Sequence, residues 1–477
     1  MFRVACEWLD VARTRPAHFF IALATGCSTA EASDGPLVEM VRAVDLNPAP
    51  NVVEVSLVAE RALVQYANGK NTAVWAYRDA ASSRPATVPG PLIEASIGDR
   101  LVVHFENRLD DATTVHFHGP RVPNEMDGAP MGESLVLPRG RFVYEFQVVD
   151  AGTFWYHPHW RTDIQIERGL YGQLVVHGER IPNTPERFFM LDDVDLHTDG
   201  TLDEALTDTD RLLGRHGEII LVNGRTSPAI EVSPGARERW HFTNASNGRY
   251  FELELPGHRF TVVGTDGGVI ERAYDVETLR IAPGKRYDVF VKLIGDSGDE
   301  FTLNTLPVAR GTAYDDRVRS VLTLRFGAQS AAQAPSDERL PGHDLEPIPV
   351  DELTPVERFE LELESDPFVG EEPRFSINDQ YFPFADDVPG EIGAVRVWEL
   401  ANLTPSPEPF HLHGTFMQAL SLDDVPIDRL AAEDVIDVPA GSTMRVAVHY
   451  EQPGHWMFHS NIPEHAEAGM MRVLRLH

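Results

Sequence analysis

Cysteine is almost absent from this chain: two among 477 residues, Cys6 and Cys27, both ahead of any patterned segment. The body therefore offers no disulfide framework and no thiolate ligand for a metal. Basic residues are scarce too, 41 Lys and Arg against 74 Asp and Glu, for a formal net charge of −33. Nucleic acid is excluded as a partner, because binding phosphates requires a basic face. The balance implies a highly soluble acidic surface, with some pull on cations. Long apolar runs are missing as well, so nothing beyond the N-terminal leader reaches the length of a membrane span.

Glycine (36) and proline (35) are plentiful. Periodicity near 3.6 is weak, and short apolar alternations recur between turn signals, which predicts an all-β chain. The length calls for two to four domains. Gly98-Asp99-Arg100-Leu101-Val102-Val103 reads as a turn feeding a strand, and similar phrases return at Ser233-Pro234-Gly235-Ala236-Arg237 and Pro439-Ala440-Gly441-Ser442-Thr443. That recurrence suggests repeated β-sandwich modules. The division expected is a leader and polar spacer over 1–44, modules over 45–180, 181–327 and 356–477, and a linker over 328–355 that is rich in Ala, Pro, Ser and acidic residues.

Arg13-Thr14-Arg15 followed by Phe19-Phe20-Ile21-Ala22-Leu23-Ala24-Thr25-Gly26-Cys27 reads as a secretion signal: a positive flank, a short apolar run, then small residues. Its end resembles a bacterial lipoprotein signal, which makes Cys27 the candidate lipid-attachment residue. Ala24 stands where Leu is usual, and Glu7 and Asp10 are unusual in a leader, which points to a translation start later than Met1. The expected location is the periplasm or cell envelope, with membrane contact only through a lipid anchor.

Histidine carries the chemistry. His116-Phe117-His118, His157-Pro158-His159 and His411-Leu412-His413 are His-x-His pairs, and His459 precedes Ser460-Asn461-Ile462-Pro463-Glu464-His465. Residues i and i+2 of a strand point to one side, so each pair presents two imidazoles in one direction. A single pair is more often an ordinary polar strand face. Three pairs plus His459, in matching flanks and divided between the first and third modules, are a strong joint signal.

With Gly169-Leu170-Tyr171-Gly172 and Phe375-Ser376-Ile377-Asn378, these motifs resemble those of the multicopper oxidases over nearly the whole chain after the leader. The resemblance implies three cupredoxin-like Greek-key β-sandwich domains. It also implies a trinuclear copper cluster between the first and third domains, where dioxygen is reduced to water with electrons from a reductant. By motif, His116 and His411 would hold the type 2 copper, and His159, His413 and His459 one type 3 copper. His118, His157 and the position now taken by Asn461 would hold the other. Asp127 resembles the family's acid beside the type 2 site and would aid proton movement.

At the type 1 site the family pattern fails. Glu408 stands at its first histidine and Ser460 at its cysteine; only His465 and Met470 remain. A blue copper needs a thiolate, so no type 1 copper is expected. Glu408, Ser460, His465 and Met470 could make a hard-metal site, though a lone Glu and His more often make a hydrogen bond. Copper is the expected cofactor, two or three ions, with zinc the alternative at the three-His set. The leading expectation is oxygen-dependent redox chemistry with electrons delivered directly by a small reductant. The alternatives are a non-catalytic copper-binding protein for buffering or resistance, and a copper-free scaffold resembling the cell-division members of the family. The remaining histidines, among them His104, His177, His241 and His343, lack pair spacing and read as surface or core residues.

Overall fold

The computed structural model describes residues 39–67, 69–129, 134–178, 184–310, 317–328, 345–364 and 372–477. The lipid-attachment reading of Cys27, His343 and most of the expected linker lie outside the described residues. Strands dominate, and the α-helices among the described residues are short: Thr162–Glu167, Asp208–Leu213 and Pro463–Glu467. No helix of the described residues is long and apolar enough to cross a membrane.

Alternation makes the strands. In Arg100–Asn107, Leu101, Val103 and Phe105 are buried while Arg100 and His104 face out, the period-2 pattern of a strand with one wet face. Each such apolar side chain contributes about 1.5–3 kcal/mol on burial, enough to fix the strand's register. Three separate apolar cores result, one per sandwich, centred on residues such as Leu101 and Phe117, Trp240 and Phe242, and Trp398 and Phe458.

The strands form six sheets, two per cupredoxin-like sandwich. Each sandwich repeats one plan. In its first sheet a parallel pair forms: Val52–Val64 with Arg100–Asn107, Glu186–Val194 with Arg237–Asn244, Val356–Leu363 with Val395–Asn402. In its second sheet Ile93–Ser96 pairs in parallel with Gly172–His177, Ala229–Val232 with Arg319–Phe326, and Val388–Gly390 with Met471–Leu476.

The recurring turn phrases do mark repeated sandwiches, but they do not all enter the same strand of the plan. Gly98-Asp99 and Ser233–Ala236 enter equivalent strands, but Pro439–Ser442 enters Thr443–His449, which lies antiparallel to Val395–Asn402. Thr443–His449 thus matches Arg141–Gln147 and Arg286–Lys292 instead. The true third counterpart enters at Gly393-Ala394. A Pro- and Gly-rich phrase marks a tight turn into a strand, not which strand follows.

Two strand pairs position the site. His116–His118 lies beside Gly152–His157 with His116 opposite His157. Glu408–Leu412 lies beside Gly454–Ser460 with His411 opposite His459.

Candidate metal centre

The first- and third-domain pairs meet face to face. The His116 ring stacks on His413 at 4.2 Å between centroids, and His118 on His411 at 3.8 Å. With His157, His159 and His459 they form a cage in which no histidine is more than 6% exposed. The structure thus brings all seven candidate histidines together.

The anchoring follows a pseudo-twofold pattern. Asp127 accepts from His116 Nδ1 through its main-chain carbonyl at 2.7 Å and from His413 Nδ1 through its carboxylate at 2.9 Å. Asp434 accepts from His411 Nδ1 through its carbonyl at 2.8 Å and from His118 Nε2 through its carboxylate at 3.0 Å. Each acid therefore ties one histidine of its own domain and one of the facing domain. His157 and His459 donate from Nδ1 to the carbonyls of Pro158 and Ser460, at 2.9 and 2.8 Å.

These anchors set the tautomers. A carbonyl or carboxylate only accepts, so the anchored nitrogen carries the proton and the other nitrogen keeps a lone pair. The lone pairs face inward. Nε2 of His116 and of His411 are buried with no hydrogen-bond partner. Nε2 of His459 lies 3.0 Å from that of His413 and 3.1 Å from that of His159. Lone pairs so placed repel unless a cation sits among them, and imidazole suits copper or zinc. Trios with all ligand atoms within 4.8 Å of one another include His159/His413/His459, His116/His411/His413 and His116/His118/His157.

Electrostatics agree with a metal-ready state. Burial, reinforced by neighbouring imidazoles, holds His118, His157, His159 and His459 well below the ordinary histidine range. His413 is brought down to about 3, burial outweighing the opposing pull of Asp127. All five are neutral ligands near neutral pH. Burial would raise Asp127, but His413 and His116 overcome it and hold its carboxyl well below the usual carboxylate range.

The pattern breaks at two places. Asn461 takes the position that corresponds to His159; its side chain packs on Gly284 of the middle domain, where a Cβ would meet Nδ2 at 1.8 Å. It also lines a cavity of about 20 Å³ with Trp155, His157, His159 and His459. His118 Nδ1 and His157 Nε2, 3.4 Å apart, are left without a third imidazole from that side. The second break is Arg286, which pairs with Asp434, whereas no arginine or lysine pairs with Asp127 among the described residues. Neither Asp434 nor Arg286 was legible as a site residue: Asp434 follows His411 by 23 positions with no motif around it, and Arg286 comes from a domain with no ligands. Only strand pairing reveals them.

The four type 1 positions also come together, differently. Ser460 Oγ donates to Glu408 Oε2 at 2.7 Å, and His465 Nδ1 lies 2.9 Å from Glu408 Oε1. His465 Nε2 donates to the Leu212 carbonyl at 3.0 Å, and its ring stacks on Phe375 at 4.0 Å. Met470 is fully buried in the third-domain core. Every polar group there is engaged, and among the described residues no metal-ligating trio includes them. The cluster is a hydrogen-bonded plug. Outside both clusters, His177 pairs with Glu94 and His241 with Asp288 in the core, and His104 with Glu54 at the surface.

A three-domain cupredoxin-like chain that closes seven buried histidines between its outer domains has the build of a copper-cluster oxidase. Comparison with known proteins agrees. Family profiles described as multicopper oxidase match residues 64–180, 187–319 and 361–476. A multicopper oxidase of Mycobacterium tuberculosis is 30% identical over 80% of this chain and 81% of its own length. Laccase-2 of Cryptococcus neoformans is 27% identical over 81% and 79%. A structure described as a metallo-oxidase from Campylobacter jejuni superposes with a TM-score of 0.81 at 26% identity, covering 92% of this chain and 94% of that one. The chain belongs to the multicopper oxidase family.

Proposed function

We propose that this protein binds two or three copper ions in the histidine cage, has no type 1 copper, and oxidises a small reductant with dioxygen, the electrons reaching the cage directly. One observation carries the reading: buried imidazole lone pairs converge on a common space, with Nε2 of His116 and His411 unpartnered and those of His159, His413 and His459 within about hydrogen-bond distance of each other. Copper supplies one-electron redox chemistry toward dioxygen. The chain supplies the rest. The carbonyls and carboxylates of Asp127 and Asp434 orient four rings, as outer carboxylates do in metal sites. The Asp127 carboxylate, 3.4 Å from His116 Nδ1 at Oδ1 and with no guanidinium partner among the described residues, stays ionised and orients proton donors beside the cage. Trp155 covers His157 with its ring at 4.1 Å and limits water.

Export is part of the proposal, with Cys27 as the lipid anchor at the cell envelope. The plug at Glu408, Ser460 and His465 favours a second reading, copper storage or resistance without turnover, because it removes the family's usual electron relay. A copper-free scaffold is disfavoured by the retention of all seven histidines. Oxygen uptake by copper-loaded protein decides between them. Oxidase function predicts copper-dependent uptake with small reductants such as cuprous ion or phenols. No uptake from a loaded protein leaves the storage reading.

A further inference from the structure

We infer that Arg286, contributed by the middle domain, is a positioning residue for the cage: its guanidinium fixes the Asp434 carboxylate so that His118 keeps its proton on Nε2 and turns Nδ1 to the metal. The inference deepens the copper reading and rests on it for the identity of the metal.

Arg286 is fully buried and all five of its N–H donors are engaged. Nε donates to the Thr153 carbonyl at 3.0 Å; Nη1 donates to the Gly284 carbonyl at 3.1 Å and to Asp434 Oδ1 at 2.6 Å. Nη2 donates to the Asp266 carbonyl at 3.3 Å and closely to Asp434 Oδ2. Three domains thus meet on one planar fork, a geometry that lysine cannot reproduce. Thr153 lies on the strand that ends at His157, and Asp434 holds His118 and His411, so the fork touches the strand or anchor of three cage histidines.

Gly119, directly after His118, is required for this arrangement. Its φ is +105°, and a Cβ there would meet Arg286 Nη2 at 2.3 Å and Asp434 Oδ2 at 2.8 Å. Its counterpart Gly414 clears space for the Trp456 ring instead, at 2.3 Å. The glycine that follows these two His pairs therefore serves two purposes, and only the first-domain one admits a cation.

The consequence is chemical. An ionised carboxylate at 3.0 Å can only accept, so His118 must donate from Nε2. His118 then faces His157 through Nδ1, while His413, its counterpart, is anchored through Nδ1 and faces inward through Nε2. Without the fork, the Asp434 carboxylate loses two of its three hydrogen bonds, and the ring is free to rotate or change tautomer.

The test uses full-length protein with ¹⁵N-labelled histidine, first metal-free and then titrated with copper. In the wild type, His118, assigned by its loss in His118→Gln, shows the Nε2–H tautomer in nitrogen NMR. Arg286→Lys and Asp434→Asn are expected to abolish that signature and to weaken copper at the His118/His157 side about 10–100-fold. The double variant is expected to lose no more than the worse single one, because both act through one contact. Lower thermal stability with an unchanged tautomer and unchanged copper affinity overturns the inference, as does additive loss. If Arg286→Lys does not fold, Asp434→Asn, which preserves shape, gives the same two readouts. A wild type that binds no copper sinks the copper reading, and the metal-free tautomer still judges the clamp.

Discussion

His459 and Ser460 are neighbours on one strand, yet they enter buried polar clusters of opposite kinds. His459 turns into the cage, where its Nε2 lone pair faces that of His413, both rings carrying their proton on the anchored Nδ1. Ser460 turns into the plug, where hydroxyl, carboxylate and imidazole pair completely. Burial is the same for both; satisfaction is not. A buried group with no partner costs about 1–3 kcal/mol, so a cluster of them persists when something else completes it. The cage is incomplete without a cation and the plug is complete without one. Residues of the cage should therefore matter for metal more than for fold, and residues of the plug the reverse.

The sharpest break of that contrast is His459→Ala. It removes the nitrogen shared by His159 and His413, and at least one copper per chain should be lost on metal analysis. Metal-free stability should hardly change in chemical denaturation. A stable variant with full copper content would refute the three-His assignment.

Glu408→Ala should do the opposite. It leaves the Ser460 hydroxyl and His465 Nδ1 buried without their acceptor, at a cost of about 3–5 kcal/mol if the pair is ionic, as for broken buried pairs generally. Copper content should stay at the wild-type value. Glu408→Gln, which keeps one acceptor oxygen, should cost about 1–3 kcal/mol.

Acid should weaken metal-free and loaded protein alike. Five cage histidines have folded-state pKa values depressed below the ordinary 6.5. As pH falls through 6.5 the unfolded chain gains protons that the folded cage refuses, so stability is lost as pH falls from about 7 toward the His413 value of about 3. Each group contributes at most about 1.4 kcal/mol per pH unit. Bound copper should raise the curve without flattening it, since the loaded folded cage also takes up no protons and the metal is released only on unfolding. Denaturation midpoints at pH 7, 6 and 5 would show it; a pH-independent metal-free protein would contradict it.

The smallest change expected is a gain. Asn461→His restores the imidazole that the pseudo-twofold pattern lacks, and copper should bind more tightly at the His118/His157 side in competition with a chelator. No gain would mean that Gly284, packed on the Asn461 amide, holds the new ring away.

Much of this was legible in the sequence, for identifiable reasons. The His-x-His pairs declare themselves because strand periodicity puts both rings on one face within three residues. Asp127 was found through its resemblance to the family's acid beside the type 2 site. Turn phrases signalled the repeated sandwich but not which strand each one enters, since Pro and Gly report backbone shape and not topology. Asp434 and Arg286 stayed hidden because their contacts span 148 and 316 positions, and pairing across such distances leaves no local pattern. For Glu408 and Ser460 the sequence told what was missing. Only the geometry shows that a carboxylate and a hydroxyl close the gap with each other.

The most direct test of the central claim is the copper content of loaded, oxidised protein, read with its visible and electron paramagnetic resonance spectra. A satisfied plug beside an unsatisfied cage predicts two or three coppers per chain, a near-ultraviolet band from a coupled pair, and no intense blue thiolate band. An intense blue band, or a chain that takes up no copper, would contradict the account.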